Sequence, residues 1–466
     1  MGSDNRNAGG ISPRQIPQEL FDKYSKSGPR YTSYPTAPQF KTEFDSEEIR
    51  SRWQKSNESG NGLSLYLHVP FCRKRCLYCG CHTEIGHRED VAKAYVNALL
   101  GEADRMVQLV DGGRPLMQLA LGGGTPTFLG PDAMSTLVNG LKERFNFVAE
   151  GERSIEVDPR SVDLEYLDVL CGLGFNRFSF GVQDLNANVQ KAIGRVCPEE
   201  VIAERLSHLR SKGHHALNID LIYGLPLQTP DSFGETIERA IRLEPSRVAL
   251  FGYAHVPWVS PHQQALERHG IPDANERMEL FGIGFEKFTG AGYSLIGMDH
   301  FAREGDELVQ ALHNRSLTRN FMGYTTRRGL DLIGLGASSI SSVGGTYTQN
   351  IKPVKEYLDQ AGEETWVKGL VMTAEDFLRG EVILELMCNC YVDIPAIEDK
   401  YQINFSEHFA DALTELAELQ ADGLVEAAPQ HIAITEMGRF FMRNISMPFD
   451  EYLKKETTTG RYSKTV

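Results

Sequence analysis

Residues 68–84 read HVPFCRKRCLYCGCHTE and contain four of the eight cysteines of the 466-residue chain. Cys72, Cys76, Cys79 and Cys81 follow the spacing C-x3-C-x2-C-x-C. The stretch directly follows LSLYLHV (63–69), an apolar run that predicts a strand. In a reducing compartment, clustered cysteines indicate metal binding rather than disulfides. The stretch therefore predicts a metal centre at the end of a strand.

The composition is that of a globular protein, with 41% hydrophobic and 24% charged residues. We expect no transmembrane helix, because no apolar run reaches the roughly 18 residues that span a bilayer. The N-terminus MGSDNRNAGGISPRQ lacks the apolar core of a secretory signal, so a cytoplasmic location is expected. The formal net charge of −15 argues against a nucleic-acid partner and an anionic membrane surface.

Short β-branched or aromatic runs alternate with helix-like segments along the chain. The expected strands are 63–69, 117–124, 154–159, 177–183, 216–224, 247–255 and 293–298. The expected helices are 90–109, 134–145, 163–173, 187–193, 198–212, 232–243 and 276–291. This alternation predicts an α/β fold with parallel strands and crossover helices. About six such units fit an open or closed barrel or a doubly wound sheet, and barrels place their chemistry at the strand ends.

The character of the sequence changes near Thr373. Helical patterns at 374–387 and 407–425, with one short strand pair around 425–435, predict a mostly helical C-terminal domain of residues 374–466. The first 60 residues are polar with few apolar runs and are interpreted as an arm. The predicted organisation is thus an N-terminal arm (1–60), an α/β core (61–373) and a C-terminal domain.

Two kinds of metal centre compete for the clustered thiols. Structural zinc prefers four ligands in a closed tetrahedron, usually as two pairs from two segments. Here the four cysteines lie within one short loop, and the others are scattered at Cys171, Cys197, Cys388 and Cys390. Zinc is therefore the weaker alternative. A [4Fe–4S] cluster is bound by cysteine thiolates, and three thiolates would leave its fourth iron open to a substrate or cofactor.

The C-x3-C-x2-C spacing after a strand resembles the cluster loop of the radical S-adenosylmethionine (SAM) superfamily. There, the open iron chelates SAM, and an electron from the cluster cleaves SAM to a 5′-deoxyadenosyl radical. The resemblance implies that Cys72, Cys76 and Cys79 are the ligands and that Cys81 is not one. GGGTPT (122–127), directly after the second strand, resembles the superfamily's glycine motif for the amino-acid end of SAM.

Longer stretches resemble one branch, the oxygen-independent coproporphyrinogen III oxidases. They include GPRYTSYPTAPQF (28–40), SIEVDPR (154–160), GFNRFSFGVQD (174–184), NIDLIYGLPLQTP (218–230) and GRFFMRNISMPFDEYL (438–453). The resemblance covers nearly the whole chain and implies a partial (β/α)6 barrel with an arm and a helical domain. It also implies conversion of two propionates of coproporphyrinogen III to vinyls, with release of two CO2, to give protoporphyrinogen IX.

The resemblance implies site residues position by position. Tyr66, Glu156 and Ile340 are expected to act in catalysis and in SAM binding. The other expected SAM contacts are Tyr78, Gly123, Gly124, Thr125, Gln183, Arg195, Asp220 and Ala254. Members of the family are thought to hold two SAM molecules, which would explain the size of this set. Arg30 in the arm and Arg303 are candidates for holding a substrate propionate, because a guanidinium can bind a carboxylate through two hydrogen bonds.

One position departs from the family pattern. Where the family often has NFQGYTT, this chain has NFMGYTT, so Met322 puts a thioether in place of an amide. Two alternatives stay open: a haem-binding chaperone that retains a cluster, which the full arm and Cys81 disfavour, and a radical SAM enzyme acting on another tetrapyrrole. The expected partners are a tetrapyrrole substrate and an unidentified electron donor, with no nucleic acid, and a monomer is expected.

Overall fold

The computed structural model describes residues 10–86, 89–360, 362–455 and 464–465. The first nine residues of the predicted arm, and residues 456–463 and 466 of the predicted C-terminal domain, lie outside the described residues. The strands are β1 (Leu63–Val69), β2 (Phe71–Cys72), β3 (Glu84–Ile85), β4 (Pro115–Gly123), β5 (Asn146–Val157), β6 (Arg177–Gln183), β7 (Ala216–Tyr223), β8 (Arg247–Gly252), β9 (Tyr293–Gly297), β10 (His300–Arg303), β11 (Thr318–Asn320), β12 (Gly323–Thr325), β13 (Asp331–Leu335), β14 (Ile340–Val343), β15 (Thr346–Asn350), β16 (Trp366–Val371), β17 (Tyr391–Asp393), β18 (Val425–Ala428) and β19 (His431–Ile434).

The α-helices alternate with these strands in the first half of the chain and dominate its end. They are α1 (Gln18–Tyr24), α2 (Ser46–Ser56), α3 (Glu89–Leu109), α4 (Gly130–Lys142), α5 (Leu164–Leu173), α6 (Ala187–Ala192), α7 (Glu199–Ser211), α8 (Pro230–Arg242), α9 (Gln264–Glu267), α10 (Ala274–Gly290), α11 (Glu307–His313), α12 (Val354–Asp359), α13 (Ala374–Asn389), α14 (Ile394–Tyr401), α15 (Phe405–His408), α16 (Ala410–Ala421), α17 (Met442–Ser446) and α18 (Glu451–Lys455).

The chain groups into two compact units. The barrel unit contains Phe40–Asp273 and Gly329–Val371. The C-terminal unit contains the described residues of Met1–Gln39, Ala274–Arg328 and Met372–Val466. This grouping places residues 10–39 with the end of the chain. The boundaries between arm, core and C-terminal domain stay a prediction.

A largely parallel sheet forms the centre of the barrel unit. In the order β13-β1-β4-β5-β6-β7-β8, every neighbouring pair of strands is parallel. Helices follow β1, β4, β5, β6 and β7 along the chain, as parallel strands require crossover connections. This confirms the predicted α/β barrel class with β1, β4, β5, β6, β7 and β8 as its strands.

The sheet also extends where no strands were predicted. β14, β15 and β16 continue it from β13 in antiparallel pairs. α2 belongs to this part, because Trp53 on α2 donates a hydrogen bond to Thr346 Oγ1 at 3.0 Å and its ring lies 4.9 Å from that of Trp366. β5 also begins earlier than predicted, at Asn146, because it pairs there with the start of β4 at Pro115.

Residues 10–39 contribute aromatic side chains to the core of the C-terminal unit. Phe21, Tyr24, Tyr31 and Tyr34 are each 6% exposed or less. The rings of Phe21 and Tyr24 lie 5.3 and 5.7 Å from that of Phe441. Burying an aromatic side chain of this size contributes on the order of 1.5–3 kcal/mol, so this segment is part of a packed core despite its polar composition.

The end of the chain is mostly helical, as predicted. The expected strand pair is present as β18 and β19, and β17 adds a third strand to it. The expected helix over 407–425 is divided into α15 and α16 at Phe409, whose φ of −106° and ψ of 25° depart from helical values. Within the described ranges, no helix is both long and apolar enough to cross a membrane.

Candidate functional site

The four-cysteine loop lies at the carboxyl end of β1. β2 and β3 pair with each other, so the two ends of the segment between them lie close together. Residues 73–83 therefore form a loop. Within it, the amide of Cys79 donates to the carbonyl of Cys76 at 3.2 Å. The thiols of Cys72, Cys76 and Cys79, together with that of Cys81, line one cavity of about 730 Å³.

Most of the predicted cofactor contacts line the same cavity. Tyr78 comes from the cysteine loop itself, and the others come from β4, β5, β6 and β7 or from the segments that follow β4, β6 and β8. The parallel strands bring their carboxyl ends to one edge of the sheet, which explains how residues far apart in sequence meet there. The predicted contacts that line the cavity are Tyr78, Gly123, Gly124, Thr125, Glu156, Gln183, Arg195, Asp220 and Ala254.

Tyr66 and Ile340 are not among the residues that line the cavity. Tyr66 is paired in the sheet with Gly334, and the backbone of Ile340 lies directly against that glycine. A Cβ added at Gly122 would lie 2.9 Å from Glu156 Oε1 and 3.2 Å from Tyr66 Cε2. The structure thus places Tyr66 near Glu156 and pairs it with the glycine against which Ile340 lies.

Two guanidinium groups surround the thiol of Cys76. Arg195 is 8% exposed, and its Nη1 lies 3.5 Å from Cys76 Sγ and 3.1 Å from Asp158 Oδ2. Arg195 Nη2 donates to the carbonyl of Gly181 at 2.6 Å. Arg160 Nη2 lies 2.6 Å from Asp158 Oδ2 and 3.9 Å from Cys76 Sγ.

The two guanidinium groups place positive charge directly beside the sulfur of Cys76. Burial acts against the charged form of Asp158, but hydrogen bonds from Arg160 and the charge of Arg195 outweigh it and lower the pKa of Asp158. Sequence reasoning identified Arg195 but missed Arg160. The signal for Arg160 was its position in SIEVDPR, just beyond the end of β5.

The glycine motif is packed against the chain that enters the cysteine loop. Gly123 has a φ of 114°, and a Cβ there would lie 2.7 Å from the ring of His68. At Gly124, a Cβ would lie 2.8 Å from the backbone of Pro70. Thr125 Oγ1 lies 3.3 Å from Cys72 Sγ. The glycines are therefore needed for a close approach to the protein's own backbone, in addition to any approach to a ligand.

Two carboxylates, those of Glu156 on β5 and Asp220 on β7, line the cavity. Gly123 N–H donates to Glu156 Oε2 at 3.2 Å, while Asn218 donates to Asp220 Oδ1 at 2.7 Å. Burial, and then the charge of Asp220, raise the pKa of Glu156 to about 7, and the hydrogen bond from Gly123 opposes this shift. Although the Glu156 carboxylate is open to the cavity, the surrounding protein displaces much of its bulk solvent. In the cofactor-free protein its charge therefore changes near neutral pH.

The loop after β8 is hydrogen-bonded to the cysteine loop. Gln263 is fully buried, and its amide donates to the carbonyls of Tyr78 at 2.8 Å and Ala254 at 3.2 Å. His262 Nε2 donates to the carbonyl of Cys79 at 2.7 Å. Sequence reasoning missed both side chains, whose sole signal was their position in the loop that follows FGYAHVP.

The donor set fits a four-iron cluster. Within residues 10–86, 89–360, 362–455 and 464–465, no three His, Cys, Asp or Glu side chains converge on one metal-ion position. An iron–sulfur cube takes each thiolate at a different iron, so thiols spread around a cavity suit it. Arg195 and Arg160 add positive charge beside Cys76, which offsets the negative charge of thiolates gathered in one place.

The two candidate substrate cations lie in the C-terminal unit. Arg30 forms an ion pair with Asp299. Arg303 Nε donates to the hydroxyl of Tyr293 at 3.2 Å, and its guanidinium lies 5.3 Å from the centre of that ring. Met322 lies between β11 and β12, where its amide donates to Asn320 Oδ1 at 2.8 Å. The backbone there is held without the amide side chain that the family often has.

Comparison with known proteins matches both halves of the chain. The radical SAM superfamily matches residues 66–240, and the HemN C-terminal domain matches residues 372–441. The oxygen-independent coproporphyrinogen III oxidase of Salmonella typhimurium is 41% identical over 461 residues, which cover 98% of this chain and 100% of that protein. The protein of that name from Escherichia coli K12 is 42% identical with the same coverage.

A solved structure agrees with these sequence matches. The coproporphyrinogen III oxidase HemN of Escherichia coli, described as a radical SAM enzyme, superimposes with a TM-score of 0.89 at 40% identity, covering 94% of this chain and 99% of that one. The relatives are well above 30% identical and are matched over almost their full length. The chain therefore belongs to the family of oxygen-independent coproporphyrinogen III oxidases, within the radical SAM superfamily.

Proposed function

We propose that this chain catalyses the reaction for which its relatives are named, as a radical SAM enzyme that uses a [4Fe–4S] cluster and SAM. It converts two propionates of coproporphyrinogen III to vinyls without oxygen, releases two CO2 and yields protoporphyrinogen IX. The main support is that Cys72, Cys76 and Cys79 face one cavity with the glycine motif, in a chain matched over nearly its whole length. The comparisons do not favour a haem-binding chaperone or another tetrapyrrole enzyme.

When bound, the cluster and SAM supply a 5′-deoxyadenosyl radical that takes a hydrogen atom from the β-carbon of a propionate, after which loss of one electron and of CO2 leaves a vinyl. The residues of the chain bind, orient and shield these groups, since the chemistry itself belongs to the cofactor. Cys72, Cys76 and Cys79 hold the cluster, and Arg195 keeps positive charge beside Cys76.

The SAM site is proposed to run along the strand ends. Gly123 and Gly124 present backbone to the amino-acid end of SAM, and Thr125 joins them to the cysteine loop through its contact with Cys72. Glu156 and Asp220 offer carboxylate acceptors. The backbone of Tyr78 is held by Gln263, which fixes its position beside the cofactor.

The remaining predicted contacts lie further along the same edge of the sheet. Gln183, Arg195 and Ala254 belong to the segments at and after β6 and β8, away from the glycine motif after β4. This spread along a cavity of about 730 Å³ supports two SAM molecules. Tyr66, Glu156 and Ile340 are proposed to act in catalysis. The Tyr66 ring and the Glu156 carboxylate both lie close to Gly122, and Tyr66 pairs with Gly334, which the backbone of Ile340 approaches.

The function is tested by anaerobic incubation of the reconstituted protein with coproporphyrinogen III, SAM and dithionite. Mass spectrometry is expected to show loss of two carboxyl groups from the porphyrinogen, with one 5′-deoxyadenosine and one methionine formed for each vinyl. Haem binding without turnover would identify a chaperone instead. A methylated or ring-opened product would identify a different tetrapyrrole enzyme.

Arg30 and Arg303 are proposed to hold substrate propionates. Asp299 is 6% exposed, and although burial opposes its charged form, the Arg30 guanidinium holds the pKa of Asp299 well below its usual range. Arg30→Ala is expected to raise the KM for coproporphyrinogen about tenfold or more, since a charged hydrogen bond contributes about 1.5–3 kcal/mol. Cleavage of SAM without substrate should be unchanged.

A matched control is available for this substitution. Asp299→Asn removes the partner charge while keeping the Arg30 guanidinium, so it should leave the KM near or below the wild-type value. If both variants lower thermal stability equally and neither changes the KM, Arg30 serves the internal ion pair alone. Steady-state kinetics and thermal unfolding of both variants distinguish these outcomes.

The electron donor, the oligomeric state and the location are also proposed. We propose that a separate donor delivers electrons to the cluster and that the chain works as a monomer in the cytoplasm. The reducing cytoplasm keeps thiols available for metal binding, which supports the location. Size-exclusion chromatography with light scattering measures the oligomeric state.

A further inference from the structure

Three consecutive cations lie on the cysteine loop between the first two proposed cluster ligands. Arg73, Lys74 and Arg75 are all exposed and stand at the cavity that the thiols line. Their side chains form no ion pair and no hydrogen bond with any residue that the structure describes. We name these three residues the cationic triplet. Neither the cluster ligands nor the proposed SAM site uses them.

A neighbouring loop exposes large apolar side chains. Trp258 and Val259 are 73% and 69% exposed. Their loop is joined to the cysteine loop by the hydrogen bonds from His262 to the carbonyl of Cys79 and from Gln263 to that of Tyr78. Tryptophan and arginine are enriched where proteins bind each other, so an exposed tryptophan on a loop that is hydrogen-bonded to the loop carrying these cations indicates a contact surface.

The charge of the whole chain makes this patch distinctive. The net charge is −15, and at physiological salt, charges further away than about 8 Å are largely screened. An acidic partner would therefore be attracted by a local cluster of cations rather than by the chain as a whole. Complementary charge mainly sets the association rate and the specificity of such a contact.

We propose that the cationic triplet and the Trp258–Val259 loop form the docking surface for an acidic one-electron carrier protein. The inference rests on the proposed function, because it assumes a [4Fe–4S] cluster held by Cys72, Cys76 and Cys79. In the docked complex, one electron passes from the reduced carrier to the oxidised cluster. The carrier is oxidised by one electron, the cluster is reduced by one, and no bond or proton is transferred.

The competing occupant is the substrate, whose propionates are also anionic. Specific binding of a small carboxylate needs donors fixed by supporting hydrogen bonds, and the exposed side chains of the triplet have none. A protein surface with several carboxylates can meet three consecutive flexible cations at once. The triplet also lies within the loop that would hold the cluster, and a carrier must come close to that loop to pass an electron.

The test uses the reconstituted holoenzyme and a flavodoxin as the acidic carrier. The variant Arg73→Glu, Lys74→Glu, Arg75→Glu reverses the triplet. We expect the Kd for flavodoxin, measured by calorimetry over a salt series, to rise at least about tenfold at low salt, with a flatter salt dependence. The rate of cluster reduction by flavodoxin should fall by a similar factor. Turnover with dithionite, expressed per cluster from the iron and sulfide content of each protein, should match that of the wild type.

A second variant, Lys41→Glu, Lys55→Glu, Lys355→Glu, changes the net charge by the same amount at exposed lysines elsewhere in the barrel unit. It should change the Kd by about threefold at most. Equal losses in both triple variants, or no flavodoxin binding by the wild type, would overturn the docking surface. A raised KM for coproporphyrinogen with dithionite would assign the triplet to the substrate. If Arg73→Glu, Lys74→Glu, Arg75→Glu fails to hold a cluster, the glutamine triple variant and Trp258→Ala repeat the binding measurement.

The two hypotheses fail in different ways. If dithionite supports no decarboxylation in the wild type, the proposed function is wrong, whereas flavodoxin binding and its salt dependence can still be measured. If dithionite supports turnover but reversal of the triplet leaves flavodoxin binding unchanged, the function stands and the docking surface is wrong.

Discussion

Cys76→Ala is expected to yield a protein without the iron–sulfur cluster, even after anaerobic reconstitution. Cys76 is 7% exposed and is the thiol that Arg195 and Arg160 approach, so no neighbouring cysteine can take its place without moving these cations. The broad visible absorbance of the cluster, its sulfide and all turnover should be lost. Stoichiometric zinc without sulfide in the anaerobic wild type would contradict the assignment.

Cys81→Ser is the matched control, and it should retain iron and sulfide close to the wild-type content. In the proposed ligand set, three thiolates and SAM fill the four irons, so Cys81 is left outside it. A hydrogen bond with Cys81 is the main cause that lowers the pKa of Cys79 to about 6. Serine keeps a hydroxyl donor at this position, so the cluster should survive while turnover falls. Loss of the cluster as complete as in Cys76→Ala would make Cys81 a ligand.

Arg195→Met is expected to destabilise the barrel unit strongly, even without a cofactor. The guanidinium is buried and bridges Asp158 and the carbonyl of Gly181. Removing one partner of a buried ion pair costs about 3–5 kcal/mol, since the other charge stays buried. Asp158 retains Arg160 as a partner, so the loss should fall near the lower end of that range. Urea unfolding of the metal-free protein should show a clearly lower midpoint.

Two further variants separate charge from geometry at this position. Arg195→Lys keeps the charge but cannot reach Asp158 and Gly181 with one planar group, so it should recover part of the loss. Arg160→Met removes a side chain that is 26% exposed, and its effect should be smaller. An unchanged midpoint in Arg195→Met would show that the bridge contributes little to folding, and iron analysis would then report its role in cluster retention.

The sequence predicted the positions of the main strands because their signals are local. β1 and β6 begin and end where the apolar runs do, and the helices between β1 and β7 follow the expected alternation. β14, β15 and β16 were not predicted, since they are short segments defined by pairing rather than by a clear periodic pattern. Residues 10–39 look polar, yet their few aromatic residues are buried.

The sequence by itself determined the family and predicted the ligand set, because C-x3-C-x2-C and the glycine motif are contiguous stretches whose resemblance to the family needs no tertiary contact. The tertiary structure alone decided what surrounds those ligands. Arg160 and Arg195 are 84 and 119 positions from Cys76, and Gln263 is 185 positions from Tyr78. Such contacts arise when parallel strands bring their carboxyl ends to one edge of a sheet, and no local pattern of residues encodes which side chains then meet.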